Sequence, residues 1–233
     1  MAQSAAIVLG AGPGLGAAIV RRFRRDGLAV AALARNAERL EQTFGGDAGV
    51  RRFALDGTDA SGIAALFDQV EREIGPIEIA ISNPSPWKSA GLLDMSAQDF
   101  EMVWRNSMLS AFNLAQNAAR VMLPRGRGTI AFTGSAAQMR APSGFAAMAV
   151  AKSGLRAFAQ SIARELGPKG IHVGHVIVDG AIDSERTRAS IPDDDRRIDP
   201  DAIADAFHAL YMQPRNGWTN EIDIRPCGAR PAG

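Results

Sequence analysis

The stretch LGAGPGLGAAIV, Leu9–Val20, decides the fold. An apolar run, AAIVLG (5–10), leads into it, and a helix-period segment carries it on to about Gly27. Its glycines read in two registers, Gly12-x-Gly14-x-x-Ala17 and Gly10-x-x-x-Gly14-x-Gly16. Both have the same physical use. Residues without a Cβ let the backbone turn tightly and approach a pyrophosphate, and the helix N-terminus adds free N–H groups and a positive dipole end. A glycine string alone is a weak signal. At the first strand-to-helix crossover it sits in the context that gives it meaning.

Working outward, short apolar runs alternate with helix-period segments. Strands are predicted at 28–34, 50–56, 77–82, 128–134, 171–178 and 219–225. Helices are predicted at 36–44, 59–75, 96–123, 144–166 and 200–212, with the Ser96 hydroxyl capping the third of these. Strands that are nearly continuous apolar runs are buried on both faces, as crossover helices make them in a parallel sheet. The expectation is a single α/β domain over 1–233, a Rossmann-like doubly wound parallel sheet of about seven strands with helices on both faces. The most polar segment, IDSERTRASIPDDDRRIDP (182–200), is expected as a loop, either a mobile lid or a solvated excursion.

Composition bounds the function. Lys plus Arg is 26 and Asp plus Glu 25, a net charge of +1 that points to neither nucleic acid nor an anionic membrane. The basic cluster Arg21, Arg22, Arg24, Arg25 reads as the solvated face of a helix whose buried side carries Phe23. The lone Cys227 excludes an intrachain disulfide and a multi-cysteine metal site. No signal peptide and no run of about 18 apolar residues is present, so a cytoplasmic location is the default expectation.

The end of the second strand bears on the nucleotide. An NAD site places Asp or Glu there to bind the ribose 2′-OH. This chain has Ala34 and then Arg35, and a guanidinium suits a 2′-phosphate. NADP is therefore favoured over NAD. The alternative is that Arg35 is one more surface arginine.

The Gly10, Gly14, Gly16 spacing, the later Lys152 and the order of elements together resemble the short-chain dehydrogenase/reductase family over essentially the whole chain. The resemblance implies that Asp56 contacts adenine. Asn83 matches the family's Asn-Ala-Gly, from which Pro84 and Ser85 depart. Asn106 matches the helix asparagine that supports a water relay, Ser135 the catalytic serine, and Lys152 the lysine of Tyr-x-x-x-Lys. Asp179-Gly180 falls near the family's Pro-Gly pair, Ile182 to Ser184 begin the substrate loop (about 180–200), and WTNEIDIRP (218–226) is unlike the usual terminus.

In GFAAMAVAKSG (144–154) the tyrosine of that motif is Met148. In the family the tyrosine gives its proton to the substrate oxygen. The lysine lowers the tyrosine's pKa and holds the nicotinamide ribose, and the serine polarises the carbonyl. A thioether has no proton to give. Residues four apart share a helix face, so Met148 is expected to point where Lys152 points. The chain's one tyrosine, Tyr211, is a weak candidate replacement in a segment that reads as ordinary helix packing. His175, on an apolar strand, reads as a satisfied core group, and Ser143 lies near the site in sequence. Gln138 and Arg140 read either as pocket-lining or as ordinary loop residues, and His172 and His208 belong to no motif.

Three functions remain in view. The first is an NADP-dependent oxidoreductase acting on a small carbonyl, alcohol or imine with an altered proton donor. The second is a non-catalytic NADP-binding sensor or partner subunit, and the third a non-redox lyase or isomerase. The resemblance implies a homodimer or homotetramer formed through the 96–123 and 144–166 helices.

Overall fold

A computed structural model describes residues 3–228, save the Arg186 side chain. The expected domain bounds, 1 and 233, lie outside the described residues. Seven strands form one parallel sheet: β1 (Ala5–Leu9), β2 (Ala29–Ala34), β3 (Val50–Ala54), β4 (Ile77–Ser82), β5 (Gly128–Thr133), β6 (Ile171–Val178) and β9 (Glu221–Ile224). Their order is β3-β2-β1-β4-β5-β6-β9. This is the expected Rossmann-like α/β architecture. A small separate pair, β7 (Ala181–Ile182) and β8 (Arg197–Ile198), lies within the polar segment.

Helices cover both faces. α1 (Leu15–Arg25), α2 (Ala37–Phe44) and α8 (Pro200–Met212) bury Ile19, Phe23, Leu40 and Phe207 against Val8 and Val30 on one side. On the other, α3 (Ala60–Glu73), α5 (Ser110–Met122) and α6 (Ala146–Leu166) bury Phe67, Leu114 and Leu155 against Ile7, Ile130 and Phe132. The alternation along β1, with Ile7 to one core and Val8 to the other, is the period of two that a doubly covered strand requires. Asn36, Asp59, Ser96 and Asp199 each accept a backbone N–H of the helix they start, satisfying donors that would otherwise be orphaned. The basic cluster of α1 does more than face solvent. Arg21 pairs with Asp201 and Arg22 with Asp205, stitching α1 to α8.

The structure corrects three boundaries. Strand β3 ends at Ala54, so Asp56 lies in the following turn. The helix expected over 96–123 is α4 (Ala97–Trp104), one π-helical turn (Arg105–Leu109) and α5. The expected loop is largely structured: β7 and β8 pair, and α7 (Glu185–Ser190) lies between them behind a Ser184 cap. Asp183, gripped by Arg188 and Arg197, is the electrostatic centre of that segment.

Strand order reverses between β1 and β4, which are hydrogen-bonded neighbours although two strands separate them in sequence. Doubly wound sheets open a crevice at that switch point, beyond the carboxyl ends of the strands. Gly10 follows β1 and Asn83 follows β4, so the glycine turn lies at its mouth.

Candidate active site

The glycine turn is built by contact. Gly10 has φ +85°, and a Cβ there would stand 2.7 Å from the Asn83 backbone. A Cβ on Gly16 would stand 2.4 Å from the Gly10 carbonyl oxygen. These two glycines close the turn. Gly12 and Gly14 are different, since a Cβ at either would meet nothing within 4 Å. Their open side faces away from the protein, and Gly14 precedes α1 without a side-chain cap. The N–H groups of Gly14, Leu15 and Gly16 find no acceptor among the described residues. Backbone donors at a helix N-terminus beside an unobstructed glycine face form an anion cradle. The register Gly10-x-x-x-Gly14-x-Gly16 thus describes both the closing contacts and the open edge.

Arg35 is exposed at the end of β2, and no described residue pairs with it. Asp56 accepts both the N–H and the hydroxyl of Thr58 on Oδ1, at 2.8 and 2.9 Å. Asn113, absent from the sequence reading, donates to the Gly57 carbonyl at 3.0 Å and ties α5 to this turn.

One hydrogen-bond path joins the glycine turn to α6. Asn83 Nδ2 donates to the Gly10 carbonyl at 3.1 Å. Thr133 Oγ1 donates to Asn83 Oδ1 at 2.9 Å. Lys152 Nζ donates to the Thr133 carbonyl at 2.7 Å and, more weakly, to that of Pro84 at 3.4 Å. Thr133 is the member that sequence reasoning missed, although it stands two residues before Ser135.

Lys152 is 2% exposed and has no carboxylate partner among the described residues. Burial alone lowers its pKa from 10.5 to about 8. Met148, one turn earlier, is 4% exposed, so the two share the inward face of α6 as their spacing requires. Beside them Val103 of α4 packs on Ala147 and Ala151. Tyr211 is no substitute for the missing phenol. It sits on α8 against Phe23 and His208, in the core on the opposite face of the sheet from Leu155 and α6. Burial first, and the nearby Glu78 and Asp26 charges after it, raise its pKa further from a useful range.

Ser135 begins the short 3₁₀ turn Ala136–Gln138. Its Oγ accepts the Ala137 N–H at 3.3 Å, which leaves the hydroxyl proton free to donate. Asn106 lies in the π turn, with Nδ2 donating to the Met102 carbonyl at 2.9 Å. An extra residue in one turn widens the helix and re-aims its side chains, a distortion common at functional sites. Arg140 grips Asp179 at 2.5 Å, so the segment after Ser135 is tied to the end of β6 and the polar segment that follows it. Ser143 is exposed. Among the described residues no cluster of His, Cys, Asp or Glu could hold a metal ion, and no helix is long and apolar enough to cross a membrane.

This crevice, turn and helix match a known sequence pattern. The family model described as short chain dehydrogenase matches residues 4–195. The chain belongs to the short-chain dehydrogenase family. A 3-oxoacyl-[acyl-carrier-protein] reductase, MabA, of Mycobacterium avium is 34% identical over 197 residues, 84% of this chain and 72% of that protein. The crystal structure of a short-chain dehydrogenase from Rhodopseudomonas palustris is 37% identical and superposes with a TM-score of 0.83, covering 96% of this chain and 98% of its own. An actinorhodin polyketide ketoreductase solved with NADPH shares the fold at 21% identity, with a TM-score of 0.88 over 99% of this chain and 100% of that one.

Proposed function

We propose that this family member is an NADP-dependent oxidoreductase transferring hydride to or from a small carbonyl or imine compound, with an altered proton donor. The observation that carries the reading is the path Gly10–Asn83–Thr133–Lys152, which holds the nucleotide-binding turn and the α6 lysine in one register. The glycine cradle fits a pyrophosphate, Asp56 an adenine contact and the unpaired Arg35 a 2′-phosphate. That the actinorhodin ketoreductase of the same fold was solved with NADPH supports the nucleotide.

When bound, NADPH supplies the hydride. The protein's own work lies at the substrate oxygen. Negative charge builds there, and the Ser135 hydroxyl donates a hydrogen bond to it. Asn106 keeps its place in the π turn beside the site. Met148 gives no proton, so another acid must. Lys152 is buried beside it, and its lowered pKa of about 8 brings proton release into the working range of an enzyme. In this reading the Lys152 ammonium releases a proton to the alkoxide through solvent water and is recharged from bulk. An imine substrate, already protonated as an iminium ion, needs no such proton and fits the Met148 site best.

A non-catalytic NADP-binding role is the second reading, favoured by Met148 alone. Both readings include self-association through α4, α5 and α6, where Trp104, Phe112 and Val150 are 40%, 39% and 50% exposed. The test is NADPH consumption across a panel of ketones, aldehydes and cyclic imines. Turnover lost in Ser135→Ala supports the oxidoreductase. Tight NADPH binding with no turnover supports the second reading.

A further inference from the structure

A buried polar group near the site that the proposed chemistry does not use is His175. The sequence makes it a core histidine, and the structure buries it there while leaving its hydrogen bonding unexplained. The side chain is 2% exposed, yet neither ring nitrogen makes a well-formed hydrogen bond. Buried polar atoms without partners are rare and call for a reason.

Its surroundings supply one. His175 on β6 is in register with Glu221 on β9, and its Nδ1 lies 3.5 Å from Glu221 Oε2, at the outer limit of a hydrogen bond. Glu221 is held in turn by Arg156 of α6 through two contacts of 2.7 and 2.5 Å. At the other end of the ring is Gly134, the residue before Ser135. A Cβ on Gly134 would stand 2.6 Å from His175 Nε2 and 2.8 Å from Gln138 Oε1, so both atoms crowd one point. Gln138 Oε1 accepts the Ser135 N–H at 3.3 Å. Gln138 Nε2 is buried without a partner.

The protonation states follow. Burial foremost, with Lys152 and Arg156 adding to it and Glu221 opposing, pushes His175 down to about 4. The ring is neutral near pH 7, with one N–H and one lone pair. Arg156 lowers the pKa of Glu221, so Glu221 is a carboxylate and can only accept. The proton therefore belongs on Nδ1, facing Glu221. Nε2 is left as an acceptor, and the Gln138 amide, whose Oε1 shares the space at Gly134 with it, carries an unused donor on its Nε2. Every group then has one role along a single direction. Ser135 N–H donates to Gln138 Oε1 and Arg156 donates to Glu221. The two links between them, Gln138 Nε2 to His175 Nε2 and His175 Nδ1 to Glu221, are inferred from the unpartnered atoms and the 3.5 Å approach to Glu221.

We propose that His175 is a positioning residue for Ser135, holding the serine turn through Gln138 and anchoring it to the Glu221–Arg156 pair between β9 and α6. It touches no reacting atom. Its effect is to fix the turn from which the Ser135 hydroxyl meets the substrate oxygen, and this purpose rests on the oxidoreductase reading above.

Two measurements on the full chain test it. Long-range 1H–15N spectra of 15N-histidine protein, with His175 assigned through His175→Asn, report the tautomer. The expected result is a neutral ring protonated on Nδ1 whose Nε2 resonance moves in Gln138→Leu. A ring protonated on Nε2, or an Nε2 resonance indifferent to Gln138→Leu, overturns the hydrogen-bond series whether or not the protein turns over. The second measurement is kinetic. Gln138→Leu removes the link at a half-buried site without disturbing β6, and His175→Leu removes it from the core. Each is expected to lower kcat about 10–100-fold with the NADPH Kd unchanged, and the double variant to be no worse than the more impaired single one. Additive losses, or a Kd that rises in step with kcat's fall, overturn the positioning role. Wild-type protein that binds NADPH but transfers no hydride overturns the oxidoreductase reading instead, and leaves the spectroscopic result standing.

Discussion

Replacing Lys152 by methionine is expected to stabilise the protein at neutral pH while weakening NADP binding. The magnitude follows from burial. Lys152 falls from 10.5 to about 8 because its ammonium is desolvated with only two carbonyls to compensate. At ~1.4 kcal/mol per unit, keeping the charged form in the folded state at pH 7 costs about 3 kcal/mol. Methionine has a similar length and volume and removes that cost. It also strips the Thr133 and Pro84 carbonyls of a donor, a loss of roughly 1–2 kcal/mol. The net gain at pH 7 is therefore ~1–2 kcal/mol. The sign with pH is fixed by linkage. Between about 8 and 10.5 the unfolded lysine is protonated and the folded one is not, so wild-type stability rises with pH across that window. The variant lacks this rise. Its advantage should shrink by ~2–3 kcal/mol between pH 7 and pH 10, leaving it level with wild type or less stable. Urea unfolding of both proteins at the two pH values measures the difference, in which all other titrating groups cancel. A variant less stable at pH 7, or a difference that does not change with pH, would refute the buried, uncompensated lysine.

Other consequences can be checked separately. Met148→Tyr restores a phenol one turn from Lys152 and is expected to raise ketone reduction about 10²–10⁴-fold while leaving iminium reduction little changed. In wild type, kcat for ketone reduction should fall as pH rises through about 8, where Lys152 loses its proton, and a flat profile from pH 7 to pH 9 counts against Lys152 as the acid. Gly14→Ala is expected to leave the melting temperature nearly unchanged yet weaken NADPH binding, because its Cβ meets no protein atom and points into the open cradle. Gly16→Ala should destabilise the fold itself, since its Cβ would lie 2.4 Å from the Gly10 carbonyl. Arg35→Ala should raise the Kd for NADPH by about 10-fold or more and leave that for NADH alone, as loss of a charge-assisted contact to a 2′-phosphate requires.

The fold was legible because its signals are local. Apolar runs mark strands covered on both sides, and Gly10 and Gly16 mark a turn with no room for Cβ atoms. Lys152, Ser135 and Asn83 were findable because their spacing matches a family pattern. What escaped is contact between distant segments. Nothing in the sequence near Thr133 says that its carbonyl holds Lys152, or near Glu221 that it faces His175. The π turn at Arg105–Leu109 escaped because one extra residue per turn hardly alters a 3.6-residue period. The polar 182–200 segment reads as a loop because its order comes from ion pairs, Asp183 with Arg188 and Arg197, rather than from an apolar stripe. Tyr211 is a weak candidate by sequence, and only the placement of its helix on the opposite face of the sheet removes it.

Deuterium transfer decides the central claim most directly. Protein supplied with 4-deuterated NADPH and the ketone and imine panel is analysed by mass spectrometry, beside Ser135→Ala. The account predicts deuterium on the former carbonyl or imine carbon of at least one product from wild type, and a marked loss of that label in Ser135→Ala. Saturating NADPH binding with no labelled product from any substrate would contradict it, and would make this family member a nucleotide-binding protein rather than an enzyme.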